Sequence, residues 1–228
     1  MADNFTSSLF MSFIDDAERI VLSDPDGDRV PYTSYILKNK HEEKIPSIAN
    51  PLDRLYAQAS SCHACSGFES RRVFASPVRK QGARVLFIAP YPESEMIFTP
   101  QSLEIFKAWW KPSLLLEEGE WALTTLIKCP VSAFSEEAAN ACRAYLREEM
   151  AILQPKSLIL LGYDTARFMT RREDGMSKLR MHRFNINHIP TYVTYTPSDY
   201  LHDASLKRVI WQDMLYLRKE LGTEGRGK

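Results

Sequence analysis

The sequence has no run of the roughly 18 to 20 consecutive apolar residues that a membrane-spanning helix needs. Its first twenty residues also lack the basic region, apolar run and cleavage site of a secretion signal. Neither sign of charge is in excess, because Lys plus Arg and Asp plus Glu both total 29. We therefore expect a cytoplasmic protein without a membrane contact, and the overall charge gives no indication of a nucleic-acid partner.

Cysteine is scarce, with four residues in a chain of 228. A chain of this length with 44% hydrophobic residues can bury a core without disulfides or oligomerisation, so we expect a monomer. Because the cytoplasm keeps thiols reduced, the four cysteines are expected to be thiols or metal ligands.

Residues 1 to 50 differ from the rest of the chain in charge. Five basic residues against nine acidic ones give this segment a net charge of −4, which leaves +4 for the remainder. Residues 24 to 28 are polar and typical of a turn, and a short helix is predicted near residues 8 to 21. We therefore predict an acidic N-terminal extension over 1–50, a candidate for contact with a protein partner, then a globular domain over 51–222 and a flexible tail over 223–228.

The basic residues of the larger part occur in short groups. They form either a phosphate-facing surface or ordinary solvated faces. The groups are Arg71-Arg72, Arg79-Lys80, Arg171-Arg172, residues 178 to 183 and Lys207-Arg208.

Four short apolar runs, rich in β-branched and aromatic residues, predict strands. They cover residues 84–89, 121–127, 157–161 and 191–195. Helical patterns lie around them, at residues 51–62, 101–110, 136–153, 164–170 and about 204–221. Strands that alternate with helices predict an α/β fold with a mostly parallel, four-stranded sheet and ligands at the carboxyl ends of the strands.

The cysteines have an asymmetric spacing. Cys62 and Cys65 form a CxxC after a helix, whereas Cys129 follows a predicted strand and Cys142 lies within a helix. A zinc ribbon normally has a second CxxC, and a thioredoxin-like motif follows a strand and opens a helix. The spacing leaves three interpretations open: an iron-sulfur cluster, a zinc site, or buried free cysteines.

Several segments, in order, resemble the family 4 and family 5 uracil-DNA glycosylases. These segments are CHACSGFESRRVF, ARVLFIAP, LTTLIKCP, ACRAYLREEMAILQPKSLILLGYDTARFM and IPTYVTYTPSDYLHDASLKRVIWQDM. The resemblance covers most of residues 52 to 221. It implies a three-layer αβα fold, a DNA partner, and a structural 4Fe-4S cluster held by Cys62, Cys65, Cys129 and Cys142.

The resemblance also implies roles for individual residues. Phe98 falls near the aromatic residue that stacks on the base, and Arg180 and Arg183 fall in a loop beside the DNA. Ala89, Pro90 and Tyr91 fall in the loop that approaches the base. Pro197 and Ser198 fall in the motif that contacts the base and a phosphate.

Three positions depart from the family pattern. The loop after the first strand lacks the usual acid and glycines, so Glu93 or Glu95 is the candidate to orient water. Thr125 stands where the family has an asparagine that pairs with uracil. Thr196 stands where it has a histidine, and a neutral hydroxyl stabilises a developing anion less than that residue does.

Three hypotheses follow from these departures. The chain is an active DNA glycosylase for uracil or another deaminated base, a DNA-binding relative whose base excision is lost or changed in specificity, or a zinc-stabilised interaction domain. The simultaneous loss of four family features favours the second hypothesis.

Overall fold

A computed structural model describes residues 50–66, 82–93, 96–117 and 119–223, together with the backbone of residues 21–23 and 29–31. Residues 60 and 109–112 are described by their backbone alone. The predicted helix over 8–21, except for Val21, lies outside this part of the chain. So do Glu95, the basic residues 71, 72, 79 and 80, and the predicted tail after Thr223.

The chain divides into two units, Met1–Ala49 and Asn50–Lys228. In the first unit, strands β1 (Val21–Ser23) and β2 (Arg29–Pro31) pair in an antiparallel manner. The function of this unit as an acidic extension stays a prediction.

The second unit alternates helices and strands, as the apolar periodicity predicted. In chain order its elements are α1 (Pro51–Ser60), β3 (Val85–Ala89), α2 (Pro100–Ser113), β4 (Trp121–Thr125), α3 (Glu136–Leu153), β5 (Ser157–Leu161), α4 (Tyr163–Thr170), α5 (Met176–Leu179), β6 (Phe184–Ile186), β7 (Ile189–Thr194), α6 (Pro197–His202) and α7 (Lys207–Glu220). A 3₁₀ turn, Ala204–Leu206, precedes α7. In the described part of the chain, no helix is both long enough and apolar enough to cross a membrane.

The central sheet has the strand order β4-β3-β5-β7-β6. The first four strands are parallel, and β6 pairs antiparallel with β7. The prediction of four strands was therefore wrong by one edge strand. β6 has only three residues, and it joins β7 through Asn187 and His188, which both have positive φ. A strand this short carries too little apolar periodicity to be recognised in the sequence.

Helices cover both faces of the sheet and confirm the three-layer αβα fold. Alternate residues of β3 point to opposite faces, because side chains alternate along a strand. Phe87 packs with Phe106 of α2 and Leu217 of α7, whereas Leu86 and Ile88 belong to the core on the side of α1 and α3. The sheet is therefore buried on both faces, which explains its continuous apolar runs.

The order of the strands reverses at the centre of the sheet. From β3 the chain moves to β4 on one side, and it then crosses to β5 on the other side. In open α/β sheets, such a switch point leaves a crevice at the carboxyl ends of the two central strands. The loops that follow Ala89 and Leu161 therefore lie beside one another at the edge where a ligand is expected.

A buried ion pair joins the sheet to two helices on one face. Lys128 and Glu149 are 2% and 0% exposed, and Lys128 Nζ lies 2.7 Å from Glu149 Oε2. The same carboxylate accepts hydrogen bonds from the hydroxyls of Thr124 and Tyr56. Lys128 Nζ also donates to the Thr125 carbonyl oxygen at 2.7 Å. The Lys128 ammonium and the Glu149 carboxylate therefore both have close polar partners, which a charge needs when it is buried away from water.

Removal of one partner of this pair should destabilise the protein strongly. Glu149→Ala leaves the Lys128 ammonium buried without a counter-charge, and we expect a loss of about 3 to 5 kcal/mol in the free energy of unfolding. Glu148→Ala is the matched control, because Glu148 is the adjacent exposed residue on the same helix. Urea denaturation of both variants measures the difference, and equal stabilities would contradict a structural function of the pair.

Candidate functional site

A cavity of about 280 Å³ opens at the carboxyl edge of the sheet. Its wall comes from the loops after β3 and β5 and from the start of α6. The lining residues are Pro90, Tyr91, Glu93, Phe98, Gly162, Tyr163, Asp164, Thr196, Ser198, Asp199 and His202. Pockets for drug-sized ligands span roughly 300 to 1,000 Å³. The cavity is therefore suited to a smaller group, such as a single nucleobase.

Glu93 holds the loop after β3 in place. One of its carboxylate oxygens accepts the backbone N–H of Thr99 at 2.9 Å, and the other accepts the hydroxyl of Ser198. Its own backbone N–H donates to the carbonyl oxygen of Ile97 at 3.1 Å. The carboxylate therefore lines the cavity in a fixed orientation, with a hydrogen-bond donor on each oxygen.

Thr196 caps helix α6. Its hydroxyl accepts the N–H of Asp199 at 3.0 Å, and its own N–H donates to the Asp199 carboxylate at 2.8 Å. This reciprocal pair is a capping box, which satisfies two backbone donors at the start of the helix. Thr196 thus has a structural function as a helix cap.

Gly162 allows Thr196 to approach the end of β5. Its φ is +81°, and a Cβ atom built there would lie 2.7 Å from the Thr196 methyl carbon. Only glycine fits this position without strain or displacement. The close contact sets the distance between two of the loops that line the cavity.

Negative charge gathers around Tyr91. Burial raises the pKa of this half-buried phenol, and the carboxylates of Asp164, Glu93 and Asp199 raise it further. All three carboxylates also line the cavity, so they act on the same small volume. Of the lining residues that the structure describes, His202 is the one with a basic side chain, and its Nδ1 donates to the Ser198 carbonyl oxygen at 2.7 Å.

The four cysteines come from three elements that meet beside the cavity. Cys62 and Cys65 follow α1, Cys129 follows β4, and Cys142 lies on the second turn of α3. Cys62 and Cys65 are half-buried, Cys129 and Cys142 are buried, and all four are free thiols.

Electrostatic contacts connect Cys142 to Cys65 and Cys129, and Tyr145 connects Cys142 to Cys62. Burial raises the pKa of Cys142 to about 11, Lys128 opposes this rise, and Cys129 and Cys65 add to it. A hydrogen bond with Cys62 raises the pKa of Tyr145 to about 12, with further contributions from burial and from Cys62 and Cys142. In the described residues, no three His, Cys, Asp or Glu side chains are arranged to hold a single metal ion.

Six of the predicted site residues lie together in the cavity wall. They are the catalytic candidates Glu93 and Thr196 and the base- or DNA-contact candidates Pro90, Tyr91, Phe98 and Ser198. Three others stand behind the wall. Ala89 and Thr125 are buried at the paired ends of β3 and β4, and Pro197 is buried at the first position of α6. Their contact with a base stays a prediction.

The two arginines of the loop before β6 have different surroundings. Arg180 makes two hydrogen bonds to the buried Asp213 at 2.5 and 2.7 Å, and its guanidinium lies 5.5 Å from the centre of the Tyr195 ring. Burial raises the pKa of Asp213, while Arg180 and Thr194 oppose the rise. Arg180 is thus held in an internal ion pair, whereas Arg183 is exposed.

Four lining residues were not predicted from the sequence: Gly162, Tyr163, Asp164 and Asp199. A signal for the first three was present, because they directly follow the run predicted as a strand over residues 157–161. The rule that ligands bind at the carboxyl ends of strands applies to this loop as much as to the loop after β3. Asp199 carried no such signal, since its position depends on the capping of α6.

The fold and the cavity define a doubly wound α/β protein with a ligand site at its switch point. The family model described as "Uracil DNA glycosylase superfamily" matches residues 77–215, and the chain belongs to this superfamily. The chain is also similar to the Type-4 uracil-DNA glycosylase of Sulfurisphaera tokodaii. The two are 22% identical over 184 residues, which cover 74% of this chain and 84% of the relative.

Gly162→Ala should distort the cavity. The new methyl group would meet Thr196, and the positive φ disfavours alanine, so we expect a loss of about 1 to 3 kcal/mol in the free energy of unfolding. Gly175→Ala is the control, because a Cβ at Gly175 meets nothing within 4 Å and its φ is −65°. Urea denaturation checks the prediction, which is contradicted if the two variants unfold alike.

Proposed function

We propose that the chain is an iron-sulfur protein that binds DNA at the carboxyl edge of its sheet. Its excision of bases is either lost or has changed from uracil to another base. The observation that carries this proposal is the set of hydrogen bonds that Thr196 makes in the cavity wall. Its hydroxyl and N–H are engaged in the capping box with Asp199, at the position where the family pattern has a histidine.

Uracil leaves DNA as an anion, and catalysis requires positive or hydrogen-bonding groups where that charge develops. The lining of this cavity includes three carboxylates, those of Glu93, Asp164 and Asp199, and one basic side chain, that of His202. Carboxylates raise the energy of a nearby anion. The electrostatics of the cavity therefore support a protein that excises uracil poorly.

An active glycosylase for another base is the second candidate. It is favoured by Glu93, which lines the cavity from the same loop that carries the family's water-orienting acid. A fixed carboxylate can orient a water molecule or stabilise positive charge on the sugar. On this view, the cavity keeps a catalytic group and has changed the base that it accepts.

DNA binding is supported by the family membership and by the shape of the site. Pro90, Tyr91, Phe98 and Ser198 surround a cavity with room for one extruded base. Contact of Arg180 with DNA would break its pair with Asp213. We therefore assign phosphate contact first to Arg183, which is exposed.

The four cysteines supply the donor chemistry of an iron-sulfur cluster. Cys62, Cys65, Cys129 and Cys142 would hold it, since all four are free thiols. Cys65 and Cys129 act on the pKa of Cys142, and Cys62 and Cys142 both act on that of Tyr145. A cluster has several iron atoms, so its thiolate ligands need not converge on one metal. When bound, the cluster would supply a covalent link between the end of α1, the loop after β4 and helix α3.

The cluster is tested by metal analysis of protein purified without oxygen. We expect iron and acid-labile sulfide, with visible absorbance from thiolate-to-iron charge transfer, and both should be lost in Cys142→Ser and Cys62→Ser. His63→Ala, between the two cysteines of the CxxC, should keep its iron. Colourless protein that contains zinc would overturn the cluster and favour a zinc-stabilised domain.

DNA binding is tested by fluorescence anisotropy with single- and double-stranded oligonucleotides. Loss of one phosphate contact in Arg183→Ala should reduce the slope of log affinity against log salt concentration by about 0.9. Lys156→Ala is the matched control, because Lys156 is exposed and precedes β5 at the opposite edge of the sheet. Failure of the unaltered protein to bind any DNA would overturn the proposed function.

Excision of uracil is measured on the same oligonucleotides, with alkaline cleavage at abasic sites. We expect no excision, or a rate far below that on another base. Efficient release of uracil that Phe98→Ala abolishes would show an ordinary uracil-DNA glycosylase and contradict the proposed change in specificity.

A further inference from the structure

The charge of the cavity indicates which class of base the cavity accepts. This inference rests on the proposed function. Glu93, Asp164 and Asp199 all line a space of about 280 Å³. Two of these carboxylates have partners inside the protein. Glu93 accepts from Thr99 and Ser198, and Asp199 accepts from the N–H of Thr196.

Asp164 differs from the other two carboxylates. Within the described residues, it has neither a hydrogen bond nor an ion pair, although its charge reaches Tyr91. It lies in the first turn of α4, where the helix dipole favours a negative charge. The side chain is half-buried, so the carboxylate presents a negative charge to the cavity without a side-chain partner among the described residues.

The geometry points to a DNA base that carries a positive charge, such as a purine alkylated on a ring nitrogen, with Asp164 as the carboxylate that meets this charge. A cation is attracted by the carboxylates that would repel a departing uracil anion. The inference also accounts for the absence of the family's histidine, because a cationic base needs no stabilisation of a developing anion.

The reaction balances without any further reactant. The bond between C1′ and the ring nitrogen breaks, and both electrons pass to the base, so a cationic base leaves as a neutral molecule. Water then adds its oxygen to C1′ and gives an abasic site. The proton of the water passes to a carboxylate of the cavity and from there to solvent.

The aromatic lining is consistent with a cationic base. Tyr91, Phe98 and Tyr163 border the same cavity, and the face of an aromatic ring attracts a cation within about 6 Å of its centre. Stacking on a ring also suits a flat base of either charge. The carboxylates therefore select the charge, and the rings contribute affinity.

The test uses full-length, cluster-loaded protein and DNA treated with dimethyl sulfate, which contains the cations N7-methylguanine and N3-methyladenine. Released bases are separated by chromatography, and spontaneous loss is subtracted. Uracil-containing DNA of the same sequence is the neutral comparison. We expect the unaltered protein to release an alkylated purine at least about tenfold faster than uracil, a difference of about 1.4 kcal/mol in the barrier.

Asp164→Asn should lower release of the alkylated base about tenfold and narrow its preference over uracil. Asp164→Glu keeps a carboxylate at this position, so it should retain part of the preference for the alkylated base over uracil. Glu173→Gln is the matched control, since it removes a carboxylate from an exposed position outside the cavity lining. A purely structural function of Asp164 in helix α4 would lower both activities together and leave the ratio unchanged.

The outcomes separate this inference from the proposed function. DNA binding without release of any alkylated purine overturns the inference and leaves the proposed function standing. Equal rates of release for alkylated purine and uracil also overturn the inference. So does a ratio of these two rates that Asp164→Asn leaves unchanged. Failure to bind any DNA overturns both.

Discussion

A buried lysine–glutamate pair holds together the part of the molecule that carries the cysteines. Lys128 lies next to Cys129 and opposes the rise in the pKa of Cys142, while its ammonium pairs with Glu149 on the same helix as Cys142. Tyr56 of α1 joins the same carboxylate, and α1 runs directly into Cys62. Because a buried charge must keep its partner, this one pair fixes the spacing of the three elements that present the thiols.

The cysteines and the cavity share a wall. Tyr91 packs against the cluster of buried residues around Cys142 and also lines the cavity. On the other side, Gly162 and the capping box of Thr196 and Asp199 determine where helix α6 begins. Gly162, Thr196 and Asp199 therefore have clear structural functions, and three carboxylates line the cavity that they shape.

Much of the fold could be predicted because the apolar pattern is strong. The helix over residues 136–153 and the strand over 157–161 were predicted at their observed bounds, since Ser135 caps the helix and the strand is buried on both faces. The edge strand β6 was not predicted, because its three residues, two half-buried and one exposed, are too few to show a clear period. The order of the strands along the sheet likewise depends on contacts between distant segments.

The sequence by itself determined the alternation of strands and helices, the family, and the residue types available at the carboxyl edge. Only the tertiary structure decided which of them share a cavity. It placed Asp164 beside Tyr91 and Glu93, and it directed Arg180 inward to Asp213, where the sequence suggested DNA. The physical reason is that charge acts through space: its effect depends on distance and burial, and neither can be obtained from position along the chain.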